Sequence, residues 1–402
     1  MTTTVERRTI PGLVVVLAAL TALGPLSIDL YLPALPDLSR ELTAGPSLIQ
    51  LTLTSCLVGL ALGQAIAGPL SDRHGRRRPL VIAAVLYTIT SLLCVVAPSA
   101  EFLVSARLLQ GLAGGAAIVI ARAIVRDLYE GAPAARFFGT LMQVSGVAPI
   151  LSPLVGGLLL EVTSWRGLFV AITAMSVVLL AAVLRLPETN PVRSAAPMFR
   201  TLLRVGATPN FAGYALAGGL SFAAMFAYIS GSPFVLQDIY GLSPLAFSLV
   251  FAGNGVGIIL AGQVATRLNR RYDPRTLLAA GLTLGLIGGT TVAAAILADL
   301  GLPTLLPGFF LVVASVGLTM PNSVSLALSS SPPEVAGSAS ALLGLAQFVI
   351  GGLVAPLVGI AGPHDARPLA WIITVLTIAA PIVFVLFTAE EPARTIVPTG
   401  SR

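Results

Sequence analysis

The sequence predicts an all-α polytopic membrane protein of twelve transmembrane helices, and three observations carry that reading. The 402 residues are 56% hydrophobic and 10% charged, against about 25% charge in soluble domains. Apolar runs of roughly twenty residues, the length that crosses a bilayer as a helix, recur along the whole chain. The arginines collect in alternate gaps between those runs. In lipid every backbone polar group must be satisfied internally, which leaves helices or closed barrels. The runs lack the period-two alternation of barrel strands, so helices are expected.

The first span is expected at residues 10–34, followed by a loop holding Asp37, Arg40 and Glu41. Met1 to Arg8 before this run imitate a secretory leader, but the run is too long for one, so an uncleaved helix is expected. Spans 2 to 6 are placed at 47–70, 79–97, 102–125, 136–160 and 166–186. A polar stretch with Pro187, Pro191 and Pro197 then divides the chain. Spans 7 to 12 follow at 209–230, 244–267, 276–298, 304–328, 334–360 and 369–389. The expected organisation is a six-helix bundle over residues 1–186, a linker over 187–208 and a second bundle over 209–402.

With the N-terminus inside, the outer segments carry only Arg40, Arg166 and Arg367, and every other loop arginine falls inside. Cytoplasmic loops attract arginine. Both termini are therefore expected in the cytoplasm, in a bacterial inner membrane. The net charge of +6 is read as topology and not as nucleic-acid binding. Cys56 and Cys94 both fall inside spans, where cysteine acts as a small hydrophobe. His74 and His364 are expected in solvated loops, so no metal site is expected.

The densest basic cluster lies between spans 2 and 3, from Gly68 to Pro79. Its Gly68, Leu70, Asp72, Arg73, Gly75, Arg76 and Arg77 resemble the G-x-L-x-D-R-x-G-R-R signature of the major facilitator superfamily. Gly262, Arg267, Arg270, Arg271 and Arg275 echo that hairpin between spans 8 and 9, as in transporters built from repeated halves. The resemblance implies two pseudo-symmetric bundles that rock about a midplane site. It implies a cytoplasmic gate of Gly68, Asp72, Arg73, Gly75, Arg76, Arg77 and Asp127, with Arg76 pairing Asp127. Ser331, Pro332, Pro333 and Glu334 read as the start of span 11, whose positive end attracts Asp72. The alternative for Arg73, Arg77 and Arg78 is lipid phosphate binding.

A charge inside lipid costs about 2.5–3.5 kcal/mol even on lenient scales, so Asp29 and Arg107 are the first functional candidates. At 1.5 Å per residue both lie roughly 8 Å below the outer surface, on antiparallel spans, where they could meet or bridge through water. Burial favours the neutral acid and a guanidinium favours the carboxylate. A balance that changes as the cavity opens would couple a proton to the cycle. The competing readings are a static ion pair and a solvated, inert Asp29.

Arg107, Gln110 and Gly111 resemble the R-x-x-Q-G motif of the superfamily. Gly146, Pro149, Pro153, Gly156 and Gly157 resemble its antiporter motif in helix 5, with Ser152 where a glycine is common. They are expected to form a bendable seam. Asp29 to Pro36, Arg122 to Asp127, Ser232-Pro233-Phe234 and Pro321-Asn322 resemble the Bcr/CflA branch of drug:proton antiporters. Tyr31, Gln110, Gln143, Phe226 and Asn254 are expected to line the substrate cavity. The implied function is export of small, partly apolar drugs, such as chloramphenicol or bicyclomycin, by a monomer that uses protons and no cofactor. The alternatives are proton-coupled import of a nutrient, or a membrane-embedded enzyme or sensor. The second pair is disfavoured because no further titratable pair shares the membrane.

Overall fold

A computed structural model describes residues 12–129, 131–189, 209–330 and 336–388. The expected linker from residue 190 onward and the expected cap Ser331–Glu334 lie outside the described residues. All regular elements described are helical. They are α1 (Leu13–Asp29), a 3-10 turn (Leu32–Ala34), α2 (Leu35–Glu41), α3 (Pro46–His74), α4 (Arg77–Val95), α5 (Ala100–Leu128), α6 (Gly131–Leu160) and α7 (Trp165–Leu184). After the linker come α8 (Pro209–Phe234), a π turn (Val235–Ile239), α9 (Pro244–Leu268), α10 (Pro274–Leu297), α11 (Leu302–Ser329), α12 (Ala336–Val358) and α13 (Arg367–Phe387). Eleven membrane-length apolar helices stand among the described residues, and Leu342–Val358 of α12 adds a shorter one. The expected all-helical fold is what is found.

Two boundaries differ instructively. Span 1 was expected as one helix, but α1 ends at Asp29. Pro33 has no N–H to give the Asp29 carbonyl, so the α-helical ladder stops there. The chain resumes as the 3-10 turn and α2. Span 2 runs on through Pro69 to His74, so the basic hairpin shrinks to Gly75 and Arg76. Gly75 turns it with φ of +84°, which other residues rarely adopt.

Within the first half, α3 and α5 pack backbone to backbone. A Cβ at Gly59 or Gly63 would strike the carbonyls of Leu108 or Leu112, and one at Gly111 or Gly115 those of Cys56 or Leu60. Small residues four apart allow this approach in membranes. In the second half Gly288 and Gly308 do the same between α10 and α11.

Among the described residues, the hydrogen bonds between the halves lie toward one end. The face bearing Arg73, Arg76, Arg77, Arg78, Arg126, Arg185, Arg267 and Arg275 is termed the basic face. Toward the opposite face, Ser47 Oγ donates to Pro356 O (2.6 Å), Gln50 Nε2 to Ser230 O (3.0 Å) and Thr54 Oγ1 to Gly352 O (2.6 Å), joining α3 to α8 and α12. A Cβ at Gly157 of α6 would lie 2.6 Å from Ser248 Oγ of α9. Toward the basic face, the same stripe of α6 carries Gly146 and Gly139, and nothing lies within 4 Å of a Cβ at either. The halves meet opposite the basic face and part toward it.

Candidate functional site

Arg107 is fully buried in the first half. Its guanidinium donates to the carbonyl of Ser27 on α1 and to Gln110 Oε1. It also lies over the ring of Tyr31, 4.6 Å from the centroid, with Phe169 of α7 at 5.6 Å. Such stacking suits a desolvated guanidinium. Gln110 passes the bond on, donating from Nε2 to Ser91 Oγ at 2.7 Å. The Ser27 hydroxyl meets Tyr87 OH at 2.6 Å, and Tyr31 OH meets Thr52 Oγ1 at 2.9 Å. Arg107 Nε has no hydrogen-bond partner among the described residues. The cation is thus held by a carbonyl, an amide and two rings.

Asp29 and Arg107, which could meet or bridge through water, make no direct ion pair among the described residues. Asp29 is 6% exposed, and no ion pair within 4.0 Å reaches it among the described residues. Arg107 instead bonds the backbone carbonyl of Ser27, two residues earlier on α1. Asp29 is the last residue of α1, at the break.

The structure brings three of the expected gate residues, Asp72, Arg76 and Asp127, together. Arg76 is 2% exposed. Its Nε donates to Asp127 Oδ2 at 2.7 Å, and its NH1 donates to Asp72 Oδ1 at 2.6 Å and to Ser71 Oγ at 2.8 Å. Arg77 NH2 donates to Leu184 O at 2.9 Å. Arg73 is exposed, and Gly68 has only the Val119 side chain near a Cβ, at 3.9 Å. The expected meeting of Asp72 with the start of span 11 lies outside the described residues.

The helix 5 residues act through packing. A Cβ at Gly156 would strike the Leu30 carbonyl of its own half, while Gly157 faces Ser248 of the other half. The adjacent glycines therefore serve two different neighbours at the closed end. Pro149 and Pro153 lie inside α6, and Ser152 Oγ donates to Ala148 O at 2.6 Å.

Of the residues expected in a substrate cavity, Tyr31, Gln110, Phe226 and Asn254 are buried in this conformation. Asn254 Nδ2 donates to Tyr228 OH at 2.8 Å, and Phe226 stacks with Phe222 at 6.1 Å. Gln143 alone is exposed, in an apolar groove of about 480 Å³ between Leu26 of α1 and α6.

Sequence reading missed the latch across the closed end. Arg40 of α2 pairs with Asp37 of its own half and, at 2.7 Å, with Asp238 of the other. Gln237 Nε2 donates to Pro33 O at 3.1 Å. The only sequence signal is one acid, Asp37 or Asp238, a few residues past each proline-broken span. Because Arg40 is 62% exposed, the pair is worth about 0–1 kcal/mol. Arg40→Ala is expected to open this end about two- to fivefold more often, read as faster labelling of a Ser47→Cys reporter. Unchanged labelling would show that the pair does no latching.

A family model described as Major Facilitator Superfamily matches residues 17–356. The chain is 39% identical over 389 residues to YdgK of Bacillus subtilis, described as an uncharacterized MFS-type transporter, covering 94% of this chain and 96% of that one. It is 30% identical over 358 residues to a chloramphenicol resistance protein of Pseudomonas aeruginosa, covering 88% and 84%. It superposes on an inward-open structure of the xylose transporter XylE from E. coli with a TM-score of 0.71 at 18% identity, covering 95% and 96%.

Proposed function

The chain belongs to the Major Facilitator Superfamily and is a transporter, not an enzyme; from that premise we propose that it exports small, partly apolar drugs in exchange for protons by alternating access. Asp29 carries the reading. It is the one acid well inside a span, buried at a helix break with no ion pair among the described residues. Holding it charged in lipid is costly, so a proton arriving or leaving changes which conformation is favoured. Arg107 sets the surroundings of that event by fixing the α1 backbone two residues away.

The likeness to a chloramphenicol resistance protein supports drugs of the chloramphenicol or bicyclomycin kind as cargo. The arginine excess on the basic face supports a cytoplasmic position for it and for both termini. The observed conformation is then open to the cytoplasm, ready to load drug. One proton falling through 100 mV yields about 2.3 kcal/mol, and one pH unit adds about 1.4 kcal/mol. Together they sustain a gradient of roughly 500-fold for a neutral drug, so no other energy source is needed.

Proteoliposomes with an imposed pH gradient test this. Antiport accumulates labelled chloramphenicol in the acidic compartment. Accumulation in the alkaline compartment would mean symport, and equilibration alone would mean no coupling. At the gate, Asp72→Asn and Gly75→Leu are expected to slow turnover roughly tenfold while leaving drug affinity within about threefold. The first loses a charge-assisted bond to Arg76, and the second forces a side chain into a positive φ. Lost binding at normal turnover would contradict the gate.

A further inference from the structure

Glu188 stands four residues beyond the end of α7, where the chain leaves the first half. Its Oε1 accepts from Arg76 N at 2.7 Å, and its Oε2 from Arg77 N at 3.1 Å. These amides open α4, where no intrahelical partner exists, and Arg76 provides no side-chain cap of its own. Arg77 returns the tie through its bond to Leu184 O. A Cβ at Gly75 would lie 2.5 Å from Glu188 Oε2, so glycine there makes room for this carboxylate as well as for the turn. The residue whose backbone Glu188 holds is the one whose side chain grips both Asp72 and Asp127.

We propose that Glu188 is a positioning residue of the basic-face gate, capping α4 from another helix end and fastening the exit from the first half to the hairpin. A carboxylate at a helix N-terminus is favoured by charge and by the free N–H groups together. Through Arg76 it sets where the Asp72 carboxylate stands. The described exit from α7 is thereby joined to the gate by bonded contacts. The inference rests on reading the hairpin as a gate.

Cysteine labelling in proteoliposomes tests it without relying on a known cargo. Cys56 and Cys94 are both buried, so single reporters can be added to the natural chain. Gly139→Cys reports opening toward the basic face, and Ser47→Cys reports opening at the other end. Glu188→Ala is expected to speed labelling at 139 and slow it at 47, each about two- to fivefold. Glu188→Gln, which keeps an acceptor but no charge, should fall between. Wild-type rates at both reporters would overturn the proposal, as would effects that only track loss of folded protein. Asp72→Asn is measured alongside. If it too labels as wild type, the gate reading itself fails; if it shifts and Glu188→Ala does not, only this inference falls.

Discussion

Asp29→Asn is expected to reduce pH-driven drug accumulation roughly 10²-fold or more, the order of loss that follows removal of a proton-transferring group. The substitution keeps the size and shape of the side chain and removes only its proton chemistry. No ion pair is broken, because none is made among the described residues. The protein should therefore fold, and its thermal melt should not fall. An asparagine needs no charge in lipid, so the conformational exchange itself should persist. Drug would then equilibrate across the vesicle without concentrating. Undiminished accumulation would remove Asp29 from the mechanism.

The second large effect concerns structure. Gly111→Leu is expected to reduce the yield of folded protein by more than tenfold, since a side chain there would drive into the Cys56 carbonyl. Overpacking a tight contact costs about 1–3 kcal/mol, and occasionally more; here the obstacle is backbone, which cannot rotate away. Gly111→Ala should be milder but still lower the melting temperature. Gly139→Ala, facing open space, serves as the neutral comparison. Size-exclusion profiles and melts of the detergent-solubilised variants read the difference. A wild-type melt for Gly111→Leu would mean that α3 and α5 do not approach as described.

These two residues show what the chain disclosed in advance. Apolar runs located the helices because lipid imposes both length and composition on them. Asp29 and Arg107 stood out because charge inside a span is costly. Their separation was not legible, since it depends on which atom of α1 the guanidinium reaches, and Ser27 O wins that contact. The break at Asp29 was readable from Pro33, whose missing N–H falls four residues on. The seam was readable too, from Gly59 with Gly63 and Gly111 with Gly115, though only one of the four sits in the recognised motif. The tie of Glu188 to α4 joins residues 112 positions apart, and nothing in either local sequence announces the other. Of the residues expected to line a substrate cavity, Tyr31 and Gln110 contact Arg107 in the conformation described, an arrangement that depends on how separate helices pack.

Proton movement on addition of drug is the most direct test of coupling through Asp29. Vesicles holding a pH-sensitive dye, with no imposed gradient, would receive chloramphenicol on one side. With the natural chain, drug entry is expected to drive protons out and make the lumen more alkaline. With Asp29→Asn, drug should still enter while the dye stays silent. Equal dye responses from the two proteins would contradict the account.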